Sequence, residues 1–191
     1  MVLVLTLITV VAGSALAYVN YVTAGQIEKI KAENLANGVK QVMGVGSDSQ
    51  LDYTTEQSGD FTLYRSDRGI AVQSVTNGFG GALKVLVGFD NEGTVTGYTI
   101  LEHAETPGLG AKAGEWFQKG QKGDITGKSP ATTNFTVSKD GGDIDAITAS
   151  TITSRAFLLA VQDAYDELLK ANNPDAASAA SAIDQKGGHD K

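Results

Sequence analysis

Residues 1–22, MVLVLTLITVVAGSALAYVNYV, are apolar or small almost throughout, and no charged side chain precedes Glu28. Such a run has few places to go. At 1.5 Å per residue, a helix of about 20 apolar residues matches a hydrocarbon layer about 30 Å thick. Residues 1–22 therefore read as a single transmembrane anchor. A cleaved signal peptide is the first rival, because Ala15-Leu16-Ala17 has the small-x-small form of a cleavage site. The basic n-region of such peptides is missing, however; a natural start upstream of Met1 would supply it, and sequencing the N-terminus of native material tests that. A buried core helix, the second rival, would be shorter and more amphipathic. Lys29, Lys31 and Lys40 follow the span and alone would keep that side cytoplasmic, but Glu28 and Glu33 dilute them.

The remainder of the 191 residues is enough for one globular domain with appendages, and 41% hydrophobic content supports a real core. A net charge of −7 argues against a phosphate-backbone binder, so nucleic acid is excluded as a partner. The chain has no cysteine, which rules out disulfides, Cys-ligated iron–sulfur clusters and thioether-attached haem. With His103 and His189 the only imidazoles, no transition-metal centre is expected from this chain alone.

Ile27, Ile30, Leu35, Val39 and Val42 recur near helical spacing within residues 24–43, which predicts a juxtamembrane helix. From Phe61 the texture changes to β-rich runs, FTLYRS, GIAVQSVT, GALKVLVGF and VTGYTILEH, the last two joined by DNEG, a hairpin loop by composition. Residues 104–130 are rich in glycine and polar groups, with Trp116 and Phe117 in a short helix, and TNFTVSK reads as one more strand. Ala156, Phe157, Ala160, Val161, Ala164, Tyr165, Leu168 and Leu169 then follow i, i+3, i+4 spacing, predicting an amphipathic helix that ends near ANNP. The expected fold class is α+β, with a mainly antiparallel sheet flanked by helices. Its expected segments are an anchor (1–22), a juxtamembrane helix and linker (23–57), the folded domain (58–171) and a disordered tail (172–191) that carries His189.

The stretch DAITASTITSRAF, residues 145–157, holds three Thr and two Ser just ahead of that helix. One hydroxyl from Thr151, Thr153 or Ser154 is expected to cap it, worth about 1 kcal/mol. A helix N-terminus also presents free N–H groups to a phosphate, although no glycine-rich cradle or Lys makes this a P-loop. An autonomous nucleophile is excluded, since no His or Lys stands beside these hydroxyls to act as a base. No catalytic residue is assigned. What remains is a hydroxyl that receives a phosphoryl group from another enzyme.

DAITASTITSRA resembles the Asp-x-x-(Ser/Thr)-Gly-Ala-(Ser/Thr)-x-Thr sequence of FMN-binding domains that carry FMN in phosphoester linkage to a threonine. On that pattern Asp145 is the leading acid, Thr148 the first hydroxyl, Thr151 the threonine that carries FMN, and Thr153 the next position. Ala149 stands where Gly is usual, and Ser150 where Ala is usual. LEHAETPGLGAK, residues 101–112, resembles the Glu-Thr-Pro-Gly-Leu-Gly element of the same proteins and adds Glu105, Thr106, Gly108, Leu109 and Gly110 to the cofactor-binding set. Glu102, His103 and Glu105 do not have the spacing of a defined metal site, and no metal ligand is assigned. With the single span and the length, the chain resembles the G subunits of Rnf complexes, ion-translocating ferredoxin:NAD⁺ oxidoreductases. The longer C subunits of Na⁺-translocating NADH:quinone reductases are the close alternative. The resemblance implies an electron-transfer subunit with covalent FMN and a soluble domain on the outer side of the bacterial cell membrane. It also implies a flavin transferase using FAD and Mg²⁺, and other membrane subunits of the complex as partners. The contrasting reading is a non-enzymatic membrane-tethered binding or assembly module.

Overall fold

A computed structural model describes residues 1–46 and 49–173; the expected tail beyond Asn173, with His189, lies outside the described residues. Helix α1 (Val2–Val42) runs 41 residues without a break. At 1.5 Å per residue it is about 60 Å long, twice a hydrocarbon layer, so the expected span and juxtamembrane helix are one element. Its first part is apolar all round and exposed, with Leu3, Val10, Leu16 and Val19 among the uncovered side chains. That is the composition of a helix suited to lipid rather than to a core. The helix closes on Gly44, whose φ of +67° takes the left-handed conformation. Gly44 N donates to Gln41 O at 3.1 Å and Val45 N to Lys40 O at 2.9 Å, the paired bonds of a Schellman closure.

Five strands follow as an antiparallel meander in chain order: β1 (Thr54–Ser58), β2 (Phe61–Ser66), β3 (Gly69–Asn77), β4 (Ala82–Phe89) and β5 (Val95–Glu102). The DNEG loop joins β4 to β5 as expected: Asp90 Oδ1 accepts from Glu92 N (2.9 Å) and Thr94 N (2.8 Å), and Gly93 takes φ +79°. Leu83, Val85, Val87 and Phe89 alternate along β4 onto the face covered by α3 (Thr151–Asn172), the amphipathic helix read from the sequence. The opposite face receives the last turns of α1. There Gly38 comes close to Thr99 and Leu86, Thr96 Oγ1 donates to Val42 O, and Val39 and Val42 are fully buried.

Between β5 and α3 the chain is mostly irregular, with 3₁₀ turns at Gly110–Lys112 and Ser138–Asp140 and the one-turn helix α2 (Ala113–Trp116). It is nevertheless part of the core. Phe117 stacks on Phe157 at 4.3 Å, and Tyr98 meets Phe157 edge-on at 4.7 Å. The Tyr98 hydroxyl donates to Ala113 O (2.6 Å) and accepts from Phe117 N (3.2 Å); its burial raises the phenol pKa above the ordinary range.

Two expectations need correction. The stretch read as linker contains β1, whose sequence TTEQS has no apolar alternation because it is an almost wholly exposed edge strand. TNFTVSK is not a strand: Phe135 and Val137 do point inward, but the backbone folds back on residues 141–144 and makes only an isolated parallel bridge, Val137 to Ile144.

Gly88 pairs with Gly97 across β4 and β5, and a Cβ at Gly88 would lie 2.4 Å from Val42 O and 2.7 Å from Thr96 Oγ1. Gly88→Ala is therefore expected to cost about 1–3 kcal/mol through overpacking, read as a lower thermal midpoint of the detergent-solubilised chain.

Candidate functional site

The chain enters α3 through a tight turn in which Ser150 N donates to Ile147 O at 3.0 Å. Ala149 in that turn has φ +62°, the one positive value at a non-glycine residue among the described residues. A side chain there costs about 1–2 kcal/mol relative to a relaxed backbone, which accounts physically for the glycine usual at this place in the motif. Ser154 secures both ends of the turn, since its buried Oγ accepts from Ile147 N (2.9 Å) and donates to Ser150 O (3.0 Å).

The capping expectation is not met. Ser150 occupies the N-cap without a side-chain bond to the helix. Ser154 lies a turn too far along and serves the incoming loop, while Thr153 is taken up elsewhere. The first backbone bond is Ser154 N to Ser150 O at 3.0 Å, so the N–H groups of Thr151, Ile152 and Thr153 lie ahead of the helical ladder. Thr151 is half-buried, and its hydroxyl has no hydrogen-bond partner among the described residues.

Thr153 Oγ1 donates to Glu105 Oε2 at 2.7 Å. The other oxygen of this buried carboxylate accepts from Phe79 N (2.8 Å) and Gly80 N (3.3 Å), in the loop between β3 and β4. Glu105 thus joins three segments that are distant in sequence. Glycines give it room: a Cβ at Gly78 would lie 2.0 Å from Glu105 Oε1, and one at Gly110 would lie 2.3 Å from Oε2.

A cleft of about 400 Å³ opens where these segments meet, within the range of small-molecule sites. Of the residues read from the sequence, Glu105, Thr106, Leu109, Gly110, Ser150, Thr151 and Thr153 line it. Gly108 does not line it and is exposed, at φ +75° in the Thr106–Leu109 turn, whose closing bond is Leu109 N to Thr106 O at 3.2 Å. Asp145 and Thr148 are exposed and do not line the cleft. Asp145 accepts from Ser138 Oγ through its carboxylate and from the Trp116 indole through its carbonyl, and so anchors the loop leading to α3. Phe79, Ala149 and Ile152 also line the cleft and were not in the sequence-derived set. Phe79 was detectable in principle as an aromatic flanked by glycines, in a turn unable to bury it; it is 70% exposed.

Among the described residues, no Lys or Arg lines the cleft. Arg155, one turn beyond Thr151, is bound by Asp140 through two bonds of 2.7 and 2.8 Å, which hold the Asp140 carboxyl below its usual range. Glu102 pairs with Lys84, and His103 Nδ1 accepts from Glu105 N while the Glu105 carboxylate turns inward. Among the described residues no three His, Cys, Asp or Glu side chains gather as metal ligands.

An open helix N-terminus facing a partly apolar cleft suits a binding domain for a phosphorylated cofactor, and the FMN-binding domain family matches residues 78–166. Similarity extends well beyond that domain. The chain is 34% identical to the G subunit of the Na⁺-translocating ferredoxin:NAD⁺ oxidoreductase complex of Acetobacterium woodii, over 81% of this chain and 83% of the relative. It is 34% identical to the G subunit of the ion-translocating oxidoreductase complex of Cereibacter sphaeroides, over 82% and 77% respectively. With its counterpart in Salmonella typhimurium it shares 38% identity over 60% of this chain and 59% of that one. The chain belongs to the family of ion-translocating oxidoreductase complex G subunits, and its apolar α1 makes it a membrane-anchored member.

Ala149→Gly is expected to stabilise the domain by about 0.5–1 kcal/mol, the relief of left-handed strain exceeding glycine's greater loss of backbone entropy. A higher midpoint in guanidinium unfolding checks it; a lower one would show that Ala149 is unstrained.

Proposed function

We propose that this chain is the membrane-anchored electron-transfer subunit of an ion-translocating ferredoxin:NAD⁺ oxidoreductase complex, carrying FMN in phosphoester linkage to Thr151. The observation that carries the reading is the free Thr151 hydroxyl at an uncapped helix N-terminus, opening onto a cleft of suitable size. The residues present fit the group. Backbone N–H groups of the first turn of α3 and the positive end of its dipole suit a phosphate, while Phe79, Leu109 and Ile152 offer apolar surface to a flavin ring. FMN in that place supplies the ability to pass electrons singly. The protein's part is to hold it, exclude water from one side and set its electrostatic surroundings.

Attachment requires an external flavin transferase with FAD as donor and Mg²⁺ as cofactor. The Thr151 oxygen forms a bond to the FMN phosphorus, the pyrophosphate P–O bond of FAD breaks, AMP departs, and the hydroxyl proton passes to the transferase or solvent. An acceptor needs no base of its own. The electron partners are other membrane subunits, and the ion path lies in them, because the apolar span of residues 1–22 carries no charged side chain. The soluble domain faces outward from the cell membrane. An ester retains the flavin there, where no cytoplasmic pool replaces a lost cofactor.

Co-expression with the transferase is expected to give a chain heavier by one FMN less one water, with flavin fluorescence that survives denaturation. Thr151→Ala abolishes the adduct, whereas Thr151→Ser retains it. An unmodified wild-type chain under these conditions would favour the non-enzymatic assembly module; label persisting in the Ala variant would move the site elsewhere.

Orientation has its own test. The native chain has no cysteine, so Thr55→Cys, in the exposed strand β1, provides a unique thiol. A membrane-impermeant maleimide is expected to label it in intact spheroplasts; labelling only after lysis would reverse the topology.

A further inference from the structure

Glu105 is the one acidic residue lining the cleft among the described residues, and its carboxylate has no salt-bridge partner among them. Its three bonds come from Phe79 N, Gly80 N and Thr153 Oγ1, all neutral donors. Among the described residues no cation therefore faces this carboxylate, in a wall that solvent reaches little. The nearest cation along α3, Arg155, is bound to Asp140.

We propose that Glu105 sets the reduction potential of the flavin in this cleft, its fixed negative charge opposing the arrival of electrons. This rests on the FMN reading above. An occupant of the cleft lies beside a lining carboxylate, and a separation of about 10 Å sets the scale of their interaction. At that distance and an effective dielectric of about 20, one unit charge changes an equilibrium by about tenfold. Glu105 also ties the β3–β4 loop to α3, and a purely structural part would leave the potential unchanged.

The two parts separate by substitution. Glu105→Gln keeps the shape and the capacity to accept from Phe79 N and Gly80 N but removes the charge. Thr153→Val breaks the tie to α3 and leaves the carboxylate group itself in place. Each full-length variant is produced with the transferase, checked first for covalent flavin by mass, and then titrated by absorbance against redox dyes. Absence of flavin from the wild-type chain defeats the FMN reading before any titration. With wild type loaded, Glu105→Gln is expected to raise the reduced-to-oxidised ratio at a fixed ambient potential about tenfold, or about 30 mV for a two-electron couple. Thr153→Val, at a residue that also lines the cleft, is expected to shift that ratio clearly less than Glu105→Gln does, whatever its thermal midpoint. An unchanged ratio in Glu105→Gln, or an equal shift in Thr153→Val, overturns the proposal. Failure of Glu105→Gln to load, both alone and combined with Ala149→Gly, also overturns it and leaves Glu105 a structural tie.

Discussion

The buried carboxylate of Glu105 is the contact on which the geometry of the cleft depends. Burying a carboxylate without partners costs several kcal/mol, so its place in the fold requires that its donors be in position. Those donors come from the β3–β4 loop and the first turn of α3, while Glu105 itself follows β5. Satisfying one side chain therefore fixes where three segments meet. The surrounding glycines follow from the same demand, since side chains at Gly78 or Gly110 would occupy the space of the carboxylate oxygens.

Around this contact the hydroxyls of the first turn divide into distinct tasks. Ser154 faces back and closes the Ile147–Ser150 turn, Thr153 faces sideways to Glu105, and Thr151 is left with its oxygen free. The arrangement leaves a helix of 22 residues without a side-chain cap, although a hydroxyl at the N-cap would add about 1 kcal/mol. Ser150 holds that place and does not cap. An N-terminus kept open in this way retains its partial positive charge and its free donors for a ligand.

Much of this was legible in the sequence. The span, strands β2 to β5, the DNEG hairpin and α3 each carry a periodicity or turn chemistry that burial enforces. β1 carries none, because an edge strand exposed on both faces has no reason to alternate. TNFTVSK alternates because Phe135 and Val137 are buried, yet alternation reports which side chains point inward and not whether a neighbouring strand exists. At the site, ETPGLG and the threonine motif marked most of the lining, while Phe79 came from a loop remote in sequence that Glu105 draws in. Asp145 and Thr148 belong to the same motif but face outward, since the turn at Ala149 separates them from the helix.

The charge pattern of the cleft bears on why an ester would hold the cofactor. Noncovalent phosphate sites commonly use Arg or Lys, whereas here the described lining has neither and includes a carboxylate. A phosphate monoester carries a charge near −2 at neutral pH, and only backbone N–H groups and the helix dipole would offset it. Esterification to Thr151, as proposed, would convert the monoester to a diester of charge −1, which would lessen repulsion from Glu105 and leave the N–H groups to serve the remaining oxygens. The proposed covalent bond would then supply retention that the electrostatics of the cleft do not. The field of Glu105, unneutralised by any lysine or arginine in the described lining, would then act on a flavin held there.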